Sequence, residues 1–336
     1  MAQINRPTDY FNTKLYTGNG TTGHNITGVG FQPDWLWIKE RSSTSAAFIY
    51  DIIRGVDIKI TPSTTDGDAT NLDSMSSFDS DGFTVGVNNA VNENTQTYAS
   101  WNWLASNTTA SNTDGSITST VSANTTSGFS IVTWTTTGTG SDTVGHGLGA
   151  TPKIVLMKRR DSTSNWTFYT TIVDGTLDYL SLNLTDAKAD SGWSLPTSSV
   201  FSQSGIGGDA VAYCFAEKKG FSKFGSYTGN GSSDGTFVYT GLSPSFVLLK
   251  ETSNANNWMI FDNKRSPFNL RDDFISPDIS DAETTGNANN RMDMLSNGFK
   301  IRGTGSATNR SGSTFIYMAF ASEPLVGSNN VCATAR

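Results

Sequence analysis

The sequence is short of the residues from which reactive centres are usually assembled. Its 336 residues include two histidines and two cysteines. Cys214 lies in a strongly apolar stretch and Cys332 in a polar tail, so one buried and one exposed thiol are expected, with no disulfide framework. His24 and His146 sit in the glycine-rich turns GTTGHNITG and TVGHGLG. Neither has a cysteine or second histidine at ligand spacing, which reads as a turn role. A nucleophile elbow, a zinc signature and a phosphate-binding loop are all missing. DSDG at Asp79–Gly82 and DGD at Asp66–Asp68 lack the remaining spacing and the closing glutamate of a calcium loop, and read as hairpin turns. No carboxylate pair stands out for glycoside hydrolysis. On these absences no enzyme activity, no cofactor and no metal are expected.

Charge and long apolar runs are scarce as well. Charged residues make up 16% of the chain, 23 basic against 30 acidic, for a formal charge of −7. That balance argues against a nucleic-acid binder, whose footprint is a basic patch. The cluster Lys158-Arg159-Arg160 reads as a solvated strand end. No stretch approaches the roughly 18 apolar residues of a membrane helix. MAQINRPTDYFNTK has no apolar core of a signal peptide. A soluble protein made in a cytoplasm, without membrane insertion, is expected.

What the chain does contain is glycine, serine, threonine, asparagine, β-branched residues and aromatics, a composition that predicts an all-β protein with many turns. It also repeats itself. GVGFQPDWLWIK (Gly28–Lys39), GLGATPKIVLMK (Gly147–Lys158) and TGLSPSFVLLK (Thr240–Lys250) each place a proline before an apolar run that ends on a lysine. An aromatic follows at one common distance from each proline: Tyr50, Tyr169, Phe261. YTGNG occurs at Tyr16–Gly20 and Tyr227–Gly231, and SDGFTVG at Ser80–Gly86 answers SNGFKIRG at Ser296–Gly303. Aromatic-rich strands close the units: Thr97–Ala105, Ala210–Glu217 and Thr314–Ser322. Repetition on this scale predicts tandem domains. The expected fold is three antiparallel β-sandwich units of jelly-roll or lectin-like type.

The expected organisation is an N-terminal arm over 1–15, units over 16–105, 127–217 and 221–322, a Ser/Thr/Asn-rich linker over 106–126, and a C-terminal tail over 323–336. Both ends are expected to contact neighbouring subunits. Asp278–Leu295 has no clean apolar stripe and reads as loop. Both faces of the proline-led runs are apolar, as in a strand buried on two sides.

Six of the eight tryptophans fall into two kinds. Trp35 with Trp37, and Trp101 with Trp103, alternate along strands. Trp166 and Trp258 follow Asn165 and Asn257, at equal offsets from Pro152 and Pro244. A repeated position fits core packing. An aromatic beside an amide also fits sugar contact, because ring faces stack on pyranose faces. Asn165, Trp166, Asn257 and Trp258 are therefore the candidate glycan or partner contacts.

Taken together, MAQINRPTDYFNTKLYTGNG, VGFQPDWLWIKERS, GSITSTVSANTTSGFSIVTW, VGHGLGATPKIVLMK, AYCFAEKKGFSKFGSYTGNG and the terminal ATAR make the chain, over essentially its whole length, similar to repeat-containing proteins of tailed bacteriophages, especially marine phages of cyanobacteria and Pelagibacter. The resemblance implies a virion structural protein, a tail fibre or fibre-associated component in host attachment. It implies a protein assembled in the host cytoplasm and carried in the virion. Its implied partners are other virion proteins, a homo-oligomer (a trimer if a fibre) and a host surface glycan. A capsid decoration or adaptor protein, a lectin-like module and a glycan-degrading tailspike are the alternatives.

Overall fold

The three proline-led runs form the strands Trp35–Glu40, Ile154–Arg159 and Leu242–Glu251 in a computed structural model that describes residues 3–136, 138, 141–204 and 207–324. Each lies between two partners in an antiparallel sheet. On one side is a closing strand: Thr97–Trp103, Gly208–Phe215 or Thr314–Pro324. On the other is a short strand: Phe48–Asp51, Thr167–Thr170 or Met259–Asp262. An opening strand pairs with the far edge of each closing strand: Phe11–Thr17, Phe129–Thr136 or Ser222–Thr228. Added edge strands bring the first sheet to six strands and the second to eight, while the last has four. Among the described residues three smaller antiparallel sheets complete an all-β sandwich fold. Asn89–Asn92 and Ser306–Asn309 are its α-helices among the described residues.

Apolar character on both faces of the proline-led strands has a direct cause. One face packs under a small sheet: Leu36 and Ile38 beneath Ile26 and Phe83, Val155 and Met157 beneath Val144 and Phe201, Val247 and Leu249 beneath Val238 and Phe299. The opposite faces carry Trp35 and Trp37, Ile154 and Leu156, and Phe246 and Leu248, and all of these join one common core. Ring contacts run across it from sheet to sheet: Trp35 to Tyr213 at 4.6 Å, Phe11 to Phe320 at 5.1 Å, Phe215 to Phe320 at 6.1 Å. Each sheet is thus sandwiched between its own small sheet and the other two large ones.

The seams between the sheets repeat a two-bond pattern. Ser45, Ser164 and Asn256 each stand six residues after the repeated lysine. Their N–H groups donate to Ser280 O, Thr65 O and Thr185 O, at 2.9, 2.8 and 3.0 Å. In return Glu283, Asp68 and Lys188 donate their N–H to Arg41 O, Arg160 O and Thr252 O. The order is cyclic, second sheet to first, third to second, first to third, so the chain closes on itself as a ring. Lys158 Nζ donates to Thr65 O at 2.6 Å and Lys250 Nζ to Thr185 O at 3.0 Å, across two of the seams. Lys39 Nζ donates to its neighbour Glu40 O. All three lysines are buried, and burial pushes each ammonium down to about 8.

Local motifs now have physical roles. YTGNG is a loop clamped by an asparagine from a short helix. Asn92 Oδ1 accepts from Asn19 N while its amide donates to Gly86 O and Thr21 O. Asn309 does the same for Asn230 N, Gly303 O and Ser232 O. The last glycines, Gly20 and Gly231, have φ of 66° and 69°, where a side chain is disfavoured. Pro33 and Pro152 precede their strands. Pro244 lies within its strand at an irregular register, where no ladder donor is lost.

Two expected boundaries are corrected. From residue 3 onward the expected polar arm over 1–15 belongs to the fold. Ile4 is buried and its N–H donates to Lys219 O, and Phe11–Thr17 is an edge strand with Phe11 opposite Trp103. An edge strand needs an inward apolar residue only at alternate positions, so it looks polar in sequence. The linker over 106–126 likewise contains the strands Ala110–Asn112 and Ser119–Asn124, which extend the second sheet. There Val121 is buried and Ser119 Oγ donates to Gly145 O at 2.7 Å, so the hairpin is held largely by hydrogen bonds. Glu323 and Pro324 end the last strand. The remainder of the expected tail, including Cys332, lies outside the described residues. Ile4 and Pro324 come together beside Gly220, whose missing side chain would meet Ile4 O and Pro324 Cβ.

Candidate functional site

Trp166 and Trp258 are buried, so neither offers a ring face to a sugar. Both are seam residues instead. Trp166 Nε1 donates to Thr61 O at 2.8 Å and Trp258 Nε1 to Ser181 O at 3.0 Å. Their repetition is a fold requirement, and the candidate glycan contact at these two rings is corrected accordingly. Asn165 is exposed and its Oδ1 accepts from Asn183. Asn257 lines a cavity of about 380 Å³ together with Asn256, Asn290, Asp281, Phe274 and Met259. The structure therefore separates the four candidates and leaves Asn257 beside an accessible space.

The exposed aromatics lie elsewhere. Phe237–Tyr239 is an edge strand of the last small sheet, beside Gly298–Ile301 and then Met292–Leu295. Val238 points into the core opposite Phe299, so alternation turns Phe237 and Tyr239 outward, 45% and 60% exposed. Lys300 stands opposite Phe237, and Gly298 opposite Tyr239 leaves that ring without a cross-strand side chain. The matching strands of the other two small sheets bury Ile26 against Phe83 and Val144 against Phe201. They place Asn25 and Thr27, and Thr143 and Gly145, where Phe237 and Tyr239 stand. The fold thus does not require aromatics at these positions. Phe268, 76% exposed, lies in the loop whose Asn269 bonds the far strand at Met294. Sequence reasoning missed these residues because exposure is decided by a strand's partners. The signal available was their departure from the internal repeat.

Two hollows adjoin the edge strand. Tyr239, Thr240 and Leu242 line a groove of about 720 Å³ with Lys219, Lys223 and Glu217. Glu217 is already engaged by Lys153 and Lys223, at 3.0 and 3.1 Å, and by the N–H of Phe224. The groove is basic on balance in an acidic protein. A smaller pocket of about 140 Å³ lies along Ser243 and Pro244, lined also by Asn263, Lys264, Arg271 and Glu323.

Other titratable groups are occupied by structure. His146 is buried, and the N–H of Leu148 donates to its Nδ1 while Nε2 faces Thr197 O at 3.3 Å. Burial lowers its pKa. His24 Nδ1 lies 2.9 Å from Asn92 Oδ1 in the loop clamp. Asp81 accepts from the N–H groups of Gly28 and Gly30, as a turn residue does. Asp174, Asp178 and Asp190 converge, but Lys188 Nζ sits among them at 2.9, 2.6 and 3.2 Å and supplies a cation. Cys214 is buried in the second sheet, and burial pushes its thiol up.

No curated protein and no solved structure matches this chain. Residues 6–324 match a family model described as a domain of unknown function, DUF7483. That match takes in all three large sheets and the sheet bearing Phe237 and Tyr239, and the chain belongs to this family.

Proposed function

We propose that this protein is a structural component of a tailed-phage virion, a tail fibre or fibre-associated protein that acts in host attachment, with the last small sheet facing a surface glycan. The observation that carries the attachment role is the pair Phe237 and Tyr239, exposed on one face where the equivalent positions are polar or glycine. Exposed rings with the Lys300 ammonium across the strand pair suit the apolar faces and hydroxyls of a saccharide. The phage context rests on the sequence resemblance. On this reading the chain catalyses nothing and works with other virion proteins.

A capsid decoration or adaptor role is the second reading, and one observation favours it. Fibres commonly obtain threefold architecture from three chains, whereas here three seams close within one. Such a chain can seat on a threefold partner as a monomer. Gold-labelled antibody against the protein, imaged on intact particles, separates the two: label on the tail supports attachment, and label over the capsid overturns it. Particles carrying Phe237→Ala and Tyr239→Ala together should assemble normally and adsorb to host cells at least tenfold more slowly. Unchanged adsorption would remove the recognition role of this face.

A further inference from the structure

Three arginines are buried among the described residues: Arg54, Arg265 and Arg271. Arg54 pairs with Asp51 and Asp68, and Arg265 with Asp262 and Glu283. Arg271, 3% exposed, forms no ion pair among the described residues, though its Nη1 donates to Ser266 O. Its Nε is buried with no partner. The carboxylates that act on it electrostatically are already engaged, Asp262 by Arg265 and Asp293 by Arg302. Guanidinium does not shed its proton under ordinary conditions, and an unpaired buried charge costs several kcal/mol.

Arg271 lines the pocket of about 140 Å³ along Ser243 and Pro244. Asn263, in the same pocket, has a buried Oδ1 that is likewise without a partner. A buried cation without a carboxylate partner among the described residues therefore helps to line the hollow, with its Nε and the Oδ1 of Asn263 enclosed behind the wall. Water takes up about 30 Å³ in the liquid, so the space holds a group of four or five heavy atoms. Lys264 and the hydroxyl-bearing Ser243 and Ser322 stand at its wall, and Glu323 is the carboxylate among its lining residues.

We propose that this pocket binds the carboxylate and adjoining hydroxyl of an acidic sugar residue, the carboxylate on Arg271 and Lys264 and the hydroxyl against the wall formed by Ser243 and Ser322. Arginine suits the planar anion, whose two oxygens match its fork of donors. The remaining sugar ring projects from the pocket mouth. This assignment stands on the pocket itself and holds whether or not the protein belongs to a virion.

Titration calorimetry of the full chain with glucuronate, galacturonate, glucose and sodium sulfate tests it. Saturable binding of at least one uronate, with no binding of glucose, is expected. Lys264→Glu should weaken that binding at least tenfold, and Glu323→Gln should strengthen it, two surface changes that spare the fold. Arg271→Lys, if it folds, should abolish it. Absence of uronate binding, or binding unmoved by both surface variants, would overturn the site. Sulfate binding as tightly as the uronates would mean a bare oxyanion site and would overturn the sugar assignment.

Discussion

At the scale of single residues, the buried ionisable groups set the response to pH. Asp278 accepts from the N–H of Trp258 at 3.2 Å, and burial pushes its carboxyl up to about 7. An unfolded chain releases that proton near pH 4, about the ordinary value for aspartate. Between about pH 4 and pH 7 the folded state holds the extra proton, so stability falls as pH rises through that window and then levels off. Asp34, raised to about 6 by burial, adds to the same slope. The lysines act with the opposite sign at the alkaline end. Lys39, Lys158 and Lys250 release their protons near 8 when folded and near 10.5 when unfolded, so stability climbs across that interval. Asp278→Asn keeps the acceptor for Trp258 and should flatten the fall between pH 4 and pH 7 in urea titrations. An unaltered slope would show that another group dominates. The lysines were legible in sequence as a repeated position. Their burial was not, because a lysine after an apolar run reads as a strand end until a carbonyl from another sheet is placed over it.

At the scale of elements, the seams explain why some motifs recur and others do not. Trp166 and Trp258 each span a seam through one indole N–H. At the third seam the equivalent position is Ala47, and ion pairs of Glu283 with Arg41 and Arg265, at 2.7 and 2.8 Å, lie there instead. Trp166→Phe and Trp258→Phe each lose the N–H bond and leave a small void. Each should cost about 2–3 kcal/mol, and the two costs should agree within about 1 kcal/mol, as equilibrium unfolding would measure. A negligible effect at both would mean the seams relax freely. The proline-led strands and their closing partners were readable from periodicity because both of their faces are buried. The strand Phe11–Thr17 and the hairpin over 110–124 were not, since edge strands satisfy their backbone with few apolar residues. The recognition face was hidden for a related reason. Phe237 and Tyr239 resemble any other strand aromatics until Val238 is seen to take the inward position.

At the scale of the whole molecule, the common core ties the three large sheets into one folding unit. Phe11, Trp103, Phe215, Phe246 and Phe320 draw on all three, and each sheet would expose its inner aromatics if the others were removed. Scanning calorimetry should therefore give a single transition with matching calorimetric and van't Hoff enthalpies. Three resolved transitions would contradict a shared core. Residues 221–324 expressed alone should aggregate, with Phe224, Phe246 and Phe320 bared to water.

The meeting of Ile4 and Pro324 beside Gly220 carries a different implication. A ring closed by equivalent seams has no intrinsic starting point, so the order in which its thirds are translated is arbitrary. A circular permutant that joins residue 324 to residue 3 through a short glycine link, and opens the backbone between Thr108 and Thr109, should reach the same fold with a midpoint within a few degrees of the parent. The new ends would then emerge on the exposed stretch ahead of Ala110, and a fused reporter or display peptide would leave from there, away from the junction of residues 3 and 324.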